Sequence, residues 1–183
     1  GLAALAPTFY VTGNHEWVLS REKRAALFSM LDAAGVVRLQ NEYKLLERGQ
    51  FSIVLAGADD PNGPFDQKRP AQLVREIRQA RGKDAYILML SHRNDELDLW
   101  ANMGVQTVLC GHGHGGIVRL PFVGAVFGTH LDLFPEYTAG LYQKGQTSMI
   151  VSRGLGGSRK LPLRIGNRPE IVTVILKAES GKV

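Results

Sequence analysis

The run from residue 85 to 90, Ala-Tyr-Ile-Leu-Met-Leu, is apolar or aromatic without a break and stops dead at Ser91-His92. So short and continuous a run suits a strand covered on both faces, the central position of a parallel or mixed sheet. Two further runs share the design. Residues 8–12 end at Gly13-Asn14-His15, and residues 106–110 end at Gly111-His112. In open α/β sheets, ligands bind in the crevice beyond the carboxyl ends of the strands. If the three strands are parallel neighbours, their polar turns converge on one crevice.

The intervening pattern is that of an α/β chain. Ser20 is placed to start a helix whose apolar residues Ala25, Leu27, Phe28, Leu31 and Ala34 recur at helical spacing, with Gly35 closing it. Residues 43–47 and 51–56 flank Arg48-Gly49-Gln50 and predict a hairpin. A loop rich in Gly, Pro and Asp covers 57–70. A second helix is predicted over 70–80, with Pro70 at its first position, where a missing donor costs little. A short helix follows over 95–103. The last third reads as β structure, with strands over 116–120, 147–152 and 170–177 and a Gly- and aromatic-rich connection over 121–145. No repeats, low-complexity tracts or linkers interrupt the chain, so residues 1–183 read as one domain.

Composition narrows the function classes. The chain carries 22 Lys and Arg against 17 Asp and Glu, a formal net charge of +5. The basic residues are scattered among acids, which points to a solvated surface rather than a nucleic-acid footprint. A mild positive field still favours anionic ligands. A single cysteine, Cys110, excludes an internal disulfide framework. No apolar stretch approaches the roughly 20 residues that span a bilayer. The opening Gly1-Leu2-Ala3-Ala4-Leu5-Ala6 is apolar but short, without the basic lead-in of a signal peptide.

The chemistry lies in the turns. Four of the five histidines follow predicted strands directly, in turns bearing Gly, Asn or Ser. One such histidine is ordinary; four placed alike point to metal, for which neutral imidazole is the commonest ligand. In Gly111-His112-Gly113-His114-Gly115-Gly116, alternate histidines can project towards two points, and the glycines allow close backbone approach. Two ions about 3.5–4 Å apart suit in-line attack on phosphorus. In Gly13-Asn14-His15-Glu16, Asn14 offers a neutral carbonyl oxygen, and His15 suits general acid work or stabilisation of a phosphoryl oxygen.

Taken in order, Gly13-Asn14-His15-Glu16, Ser91-His92 and Gly111-His112-Gly113-His114-Gly115-Gly116 resemble the calcineurin-like metallophosphoesterase superfamily. The similarity continues through Val118-Arg119-Leu120-Pro121-Phe122, Ala139-Gly140-Leu141-Tyr142, Val151-Ser152-Arg153-Gly154-Leu155-Gly156 and Pro169-Glu170-Ile171, towards its bacterial branch of membrane-associated or exported phosphodiesterases. The resemblance implies an α/β sandwich of two mixed sheets flanked by helices. It implies hydrolysis of a phosphodiester or phosphomonoester by a metal-activated water at a dinuclear site, the ions drawn from Mn, Fe, Zn or Ni. It assigns Asn14, His92 and His112 to one metal and His114 to the other. His15 becomes the residue that meets substrate phosphate, and Arg153 a contact for the anion.

The pattern also departs from the family. An Asp-x-His and a Gly-Asp-x-x-Asp motif normally precede the Gly-Asn-His-Glu motif. Here twelve residues precede Gly13, and they hold no Asp or His. The expectation is therefore an N-terminally truncated domain that lacks the first βαβ part and carries an incomplete metal site. An exposed sheet edge would invite a homodimer. Asp59, Asp60, Glu16 and Asp95 read as loop or capping residues rather than substitute ligands. Gly113 stands where relatives carry a polar residue, and Arg93-Asn94 replaces the usual Asn-Pro; both bear on substrate fit. The alternative reading is a catalytically dead remnant serving interaction or regulation. Membrane association or export of the parent is implied by the resemblance alone.

Overall fold

The structure is a computed structural model that describes residues 1–129, 131–157 and 163–177. At its centre is a six-stranded mixed sheet built from β3 (Glu42–Arg48), β4 (Phe51–Gly57), β5 (Ile87–Leu90), β6 (Thr107–Cys110), β9 (Gly140–Lys144) and β10 (Thr147–Val151), in the order β3-β4-β5-β6-β10-β9. The inner four strands run parallel, and β3 and β9 are antiparallel edges. Alternation along β4, β5 and β6 divides the core in two. Val54, Ala56, Ile87, Met89, Val108 and Cys110 face one side, with Leu73, Val74 and Ile77 of α3 (Pro70–Arg81) and Leu97 and Trp100 of α4 (Leu97–Asn102) packed over them. Leu55 and Leu88 face the other, under Phe9, Val11, Val37 and Leu39.

Those last four residues belong to a second, smaller layer. There β1 (Thr8–Tyr10) pairs in parallel with β2 (Val36–Arg38), and α2 (Arg21–Ala33) joins them. Ser20 caps α2 by accepting from the Lys23 N–H at 3.4 Å. The helix buries none of its residues fully. The expected sandwich of strands and flanking helices is present, with one correction: β1 is not a neighbour of β5. It lies across the sheet's second face, and its carboxyl end reaches the same crevice from the other layer.

Four further differences concern local elements. Residues 36–38 form β2, and the connection over 121–145 holds β8 (Gly124–Phe127) and β9; β8 pairs with β7 (Val118–Leu120) in a hairpin. Residues 14–17, read as turn, form the helical turn α1 (Asn14–Trp17). Residues 170–177, expected as a strand, form no ladder with any described strand, and Ile171 and Ile175 are 81% and 75% exposed. A strand is defined by its partner, and the apolar pattern alone supplies none.

Candidate metal centre

Three polar atoms meet where β1, β5 and β6 end. His92 Nε2 lies 2.9 Å from Asn14 Oδ1 and 2.8 Å from His112 Nδ1. The two imidazoles meet edge to face, their centroids 4.6 Å apart. Proton arithmetic makes this arrangement informative. Nε2 of a histidine carries at most one hydrogen, and Asn14 Oδ1 is only an acceptor. If Nε2 is protonated it can satisfy Asn14, with its lone pair gone; if it is bare it can accept from His112, and then two lone pairs face each other across 2.9 Å. A single linear hydrogen bond cannot serve both contacts. A cation that takes electron pairs from all three atoms removes the conflict. Neighbouring donors about 2.1 Å from an octahedral ion lie roughly 3.0 Å apart, close to the spacing found here. The donor set thus fits a divalent metal.

The local sequence explains how the atoms arrive. Gly13 precedes α1 with φ −108° and ψ −177°, a backbone any residue adopts. Glycine is needed for a different reason: a Cβ there would lie 2.8 Å from His92 Cε1 and Nδ1. The imidazole rests directly on the Gly13 backbone. Glu16 accepts from the Gly13 N–H at 2.6 Å and fixes the turn, a capping use consistent with the sequence reading. On the β6 side, His112 and His114 have φ of 62° and 51°. Left-handed backbone at a non-glycine residue costs on the order of 1–3 kcal/mol and gathers at functional sites. The glycines of this loop permit close approach, but the strained torsions fall on both histidines.

Burial holds His92 below the ordinary histidine value, against the opposing charge of Asp60. Burial does the same to His114, whose ring also meets the Gly156 carbonyl. Both rings are thereby kept neutral, the form that ligates metal.

Asn14, His92 and His112 are brought together. His114 directs its ring to Gly156, and His15 is exposed on α1 beside Asn14. Arg153 packs under Gly115, and its guanidinium is held by Glu170, with Nε donating at 2.7 Å; the Arg153 N–H donates to the same carboxylate at 2.9 Å. Among the described residues no group of three or more His, Cys, Asp or Glu side chains is arranged to hold a metal; the cluster consists of two histidines and the Asn14 amide.

Sequence reasoning read Asp59 and Asp60 as loop or capping residues and did not foresee the polar ring they form behind the candidate ligands. Asp59 and Asp60 follow β4 and are buried rather than solvated. Thr12 Oγ1 donates to Asp59 Oδ1 at 2.6 Å and accepts from Trp17 Nε1 at 3.0 Å and the Asp60 N–H at 3.3 Å. Asn41 Oδ1 accepts from the Asp59 N–H at 3.0 Å. Asp60 receives Arg93 Nε at 2.9 Å, Arg93 Nη2 at 3.0 Å and the Asn62 N–H at 2.9 Å. Burial pushes Asp60 up, but the Arg93 and Asn62 hydrogen bonds outweigh it and hold the carboxyl low. The available signal was position: an acidic pair directly after an apolar strand that ends at the same edge as His92.

A cavity of about 300 Å³ opens beside His112 and Gly113, bounded also by Asn94, Asp95 and Tyr137. A larger one of about 550 Å³ lies by Phe51 and Tyr86, at the amino ends of β4 and β5, and none of the ligand candidates lines it. Of the candidate ligands, His112 lines the smaller opening.

Comparison with known proteins supplies the family. The chain is 30% identical over 175 residues to the phosphodiesterase YaeI of Escherichia coli, covering 96% of this chain and 60% of that protein. It is 31% identical over 171 residues to the uncharacterized metallophosphoesterase YkuE of Bacillus subtilis, covering 92% and 55%. A third relative, from Bos taurus, is named a transmembrane protein with metallophosphoesterase domain and is 27% identical over 180 residues, covering 93% and 39%. No family model and no solved structure matches the chain. The chain belongs to the calcineurin-like metallophosphoesterase superfamily, and it spans 60% and 55% of the length of the first two relatives.

Proposed function

We propose that this chain forms part of a metal-dependent phosphoesterase that hydrolyses a phosphodiester or phosphomonoester. One observation carries the reading: His92 Nε2 lies 2.9 Å from Asn14 Oδ1 and 2.8 Å from His112 Nδ1, two contacts that one proton cannot satisfy and a cation can. Divalent ions, when bound, supply polarisation of a phosphoryl oxygen and activation of water. The protein's own residues do the rest. His92, kept neutral by burial, and His112 hold the ion in this reading; His15, exposed on the helical turn beside Asn14, meets the phosphoryl group and passes a proton to the leaving oxygen. The cavity beside His112 admits a small ester. A second ion at His114, a membrane setting for the parent as in the Bos taurus relative's name, and a homodimer belong to the same proposal.

The test is the number of Mn²⁺ or Zn²⁺ ions retained per chain after loading and desalting, with hydrolysis of a chromogenic phosphodiester alongside. Retention that His92→Ala abolishes supports the reading; no retention by the unaltered chain refutes it. Sedimentation in the same buffer reports the dimer. A second reading, a remnant without catalysis, is favoured by one feature: every donor in the cluster is neutral. It predicts metal retention with no hydrolysis under any condition.

A further inference from the structure

Two adjacent carboxylates at the end of β4 each seize one of the loops that carry the ligands. Asp59 holds the first loop: its Oδ1 takes the Thr12 hydroxyl at 2.6 Å and the Thr12 N–H at 3.3 Å, two residues before Asn14. The Thr12 hydroxyl is then fully used, with its one proton given to Asp59 and both lone pairs taken by Trp17 Nε1 and the Asp60 N–H. Asp60 holds the second loop. Its side chain is 0% exposed, and it grips Arg93, the residue after His92, through Nε and Nη2. The side-chain hydrogen bonds of both carboxylates go to Thr12, Asn41 and Arg93 and to the Asn62 N–H, and Asp60 also acts on His92 through its charge. One dipeptide thus spans the gap between the β1 layer and the β5 turn, the two elements whose side chains meet at 2.9 Å as Asn14 Oδ1 and His92 Nε2.

From this we infer that Asp59 and Asp60 are positioning residues for the metal centre, a brace that fixes the two ligand loops against each other. The inference rests on the metal reading given above. Its physical basis is that groups hydrogen-bonded behind a metal site orient its ligands, and their mutation typically costs 10–100-fold in metal affinity; here the carboxylates act one step further out, through Thr12 and Arg93. The forked guanidinium of Arg93 resists rotation in a way a point charge does not, because two N–H groups bind two oxygens in one plane. The Thr12–Asp59 bond does the same for the opposite loop with a single hydroxyl.

The experiment has two arms on the full 183-residue chain. The first is amide hydrogen exchange without metal. Asp60→Asn speeds exchange at residues 91–94 and leaves 12–16 slow, whereas Asp59→Asn does the reverse. Equal acceleration across the whole chain, tracking global stability, overturns the brace. The second is Co²⁺ titration followed by its visible absorption. Asp60→Asn weakens binding about 10–100-fold and alters the band shape; Arg93→Lys, which keeps the charge at a partly exposed position and folds readily, weakens it by less. Affinity within twofold of the unaltered chain in both variants, with unchanged bands, also overturns it. If the unaltered chain takes up no Co²⁺, the metal reading fails, and the exchange arm alone decides whether the brace exists.

Discussion

Gly13→Ala tests whether His92 is seated on the backbone as described. The added Cβ would sit 2.8 Å from His92 Cε1 and Nδ1 and 3.0 Å from Cγ, where ordinary contact begins at 3.4 Å. Relief requires the ring to retreat by about 0.6 Å. The ring's Nε2 contacts are 2.8 and 2.9 Å, so a retreat of that size opens the cluster beyond what one ion spans. Two energies compete. Overpacking costs about 1–3 kcal/mol, while alanine at a compatible backbone gains about 0.4–1 kcal/mol by restricting the unfolded chain. The φ and ψ of Gly13 suit alanine, so the gain is fully available and the net loss falls between near zero and about 2.6 kcal/mol. Metal affinity, which depends on ligand placement, falls by at least about tenfold. Urea unfolding and Co²⁺ titration measure the two effects, with Gly156→Ala, whose Cβ meets nothing within 4 Å, as control. A Gly13→Ala chain that is more stable by 0.4–1 kcal/mol and binds Co²⁺ undiminished would refute the reasoning.

Acid should weaken the fold through the buried imidazoles. Burial lowers His92 and His114 in the folded chain, so unfolding takes up protons between their folded values and about 6.5. Their contribution is complete above about pH 6.5 and is lost as pH falls through the folded values; urea midpoints at pH 7.5, 6.5 and 5.5 should fall in that order, and a flat series counts against it. Thr12→Val removes a hydroxyl that serves three partners and should cost about 2–3 kcal/mol in the same assay; a loss below about 0.5 kcal/mol would show that water replaces it. Cys110 is buried, and burial first, then Glu96 and Asp95, pushes its thiol up to about 12. Alkylation at pH 8 should therefore await unfolding, and stoichiometric labelling of the native chain within seconds would contradict its placement.

The inner strands and the turns that carry the candidate ligands were legible because their signal is local. An unbroken apolar run followed at once by a polar turn marks both a buried strand and the edge at which it ends. Elements whose existence depends on a distant partner were not legible. β2 has three residues, too few to show a period, and forms because β1 lies beside it. β9 is a polar edge strand made by antiparallel pairing with β10. Residues 170–177 show the converse, a strand-like pattern that pairs with nothing described. The brace escaped for the same reason. Asp59 meets Thr12 across 47 residues, and Asp60 meets Arg93 across 33. An Asp-Asp pair after a strand looks identical in sequence whether it is solvated or buried.

Charge joins the site to its proposed ligand. Each donor in the cluster is neutral, and the carboxylates behind it are occupied, Asp59 by Thr12 and Asn41 and Asp60 by Arg93. An ion held by Asn14, His92 and His112 therefore keeps most of its charge, and an anion in the adjoining cavity gains more from it than it would beside a carboxylate-rich centre. Metal and phosphate should then reinforce each other. Linkage makes the effect reciprocal: if inorganic phosphate tightens Mn²⁺ binding tenfold, Mn²⁺ tightens phosphate binding tenfold, about 1.4 kcal/mol of coupling. Titrating each ligand in the presence and absence of the other measures the coupling from both sides. Positive coupling that His112→Ala removes ties the cavity to the ligand cluster, as a phosphoesterase requires. Metal binding indifferent to phosphate would leave the cluster as an isolated ion site and favour the remnant.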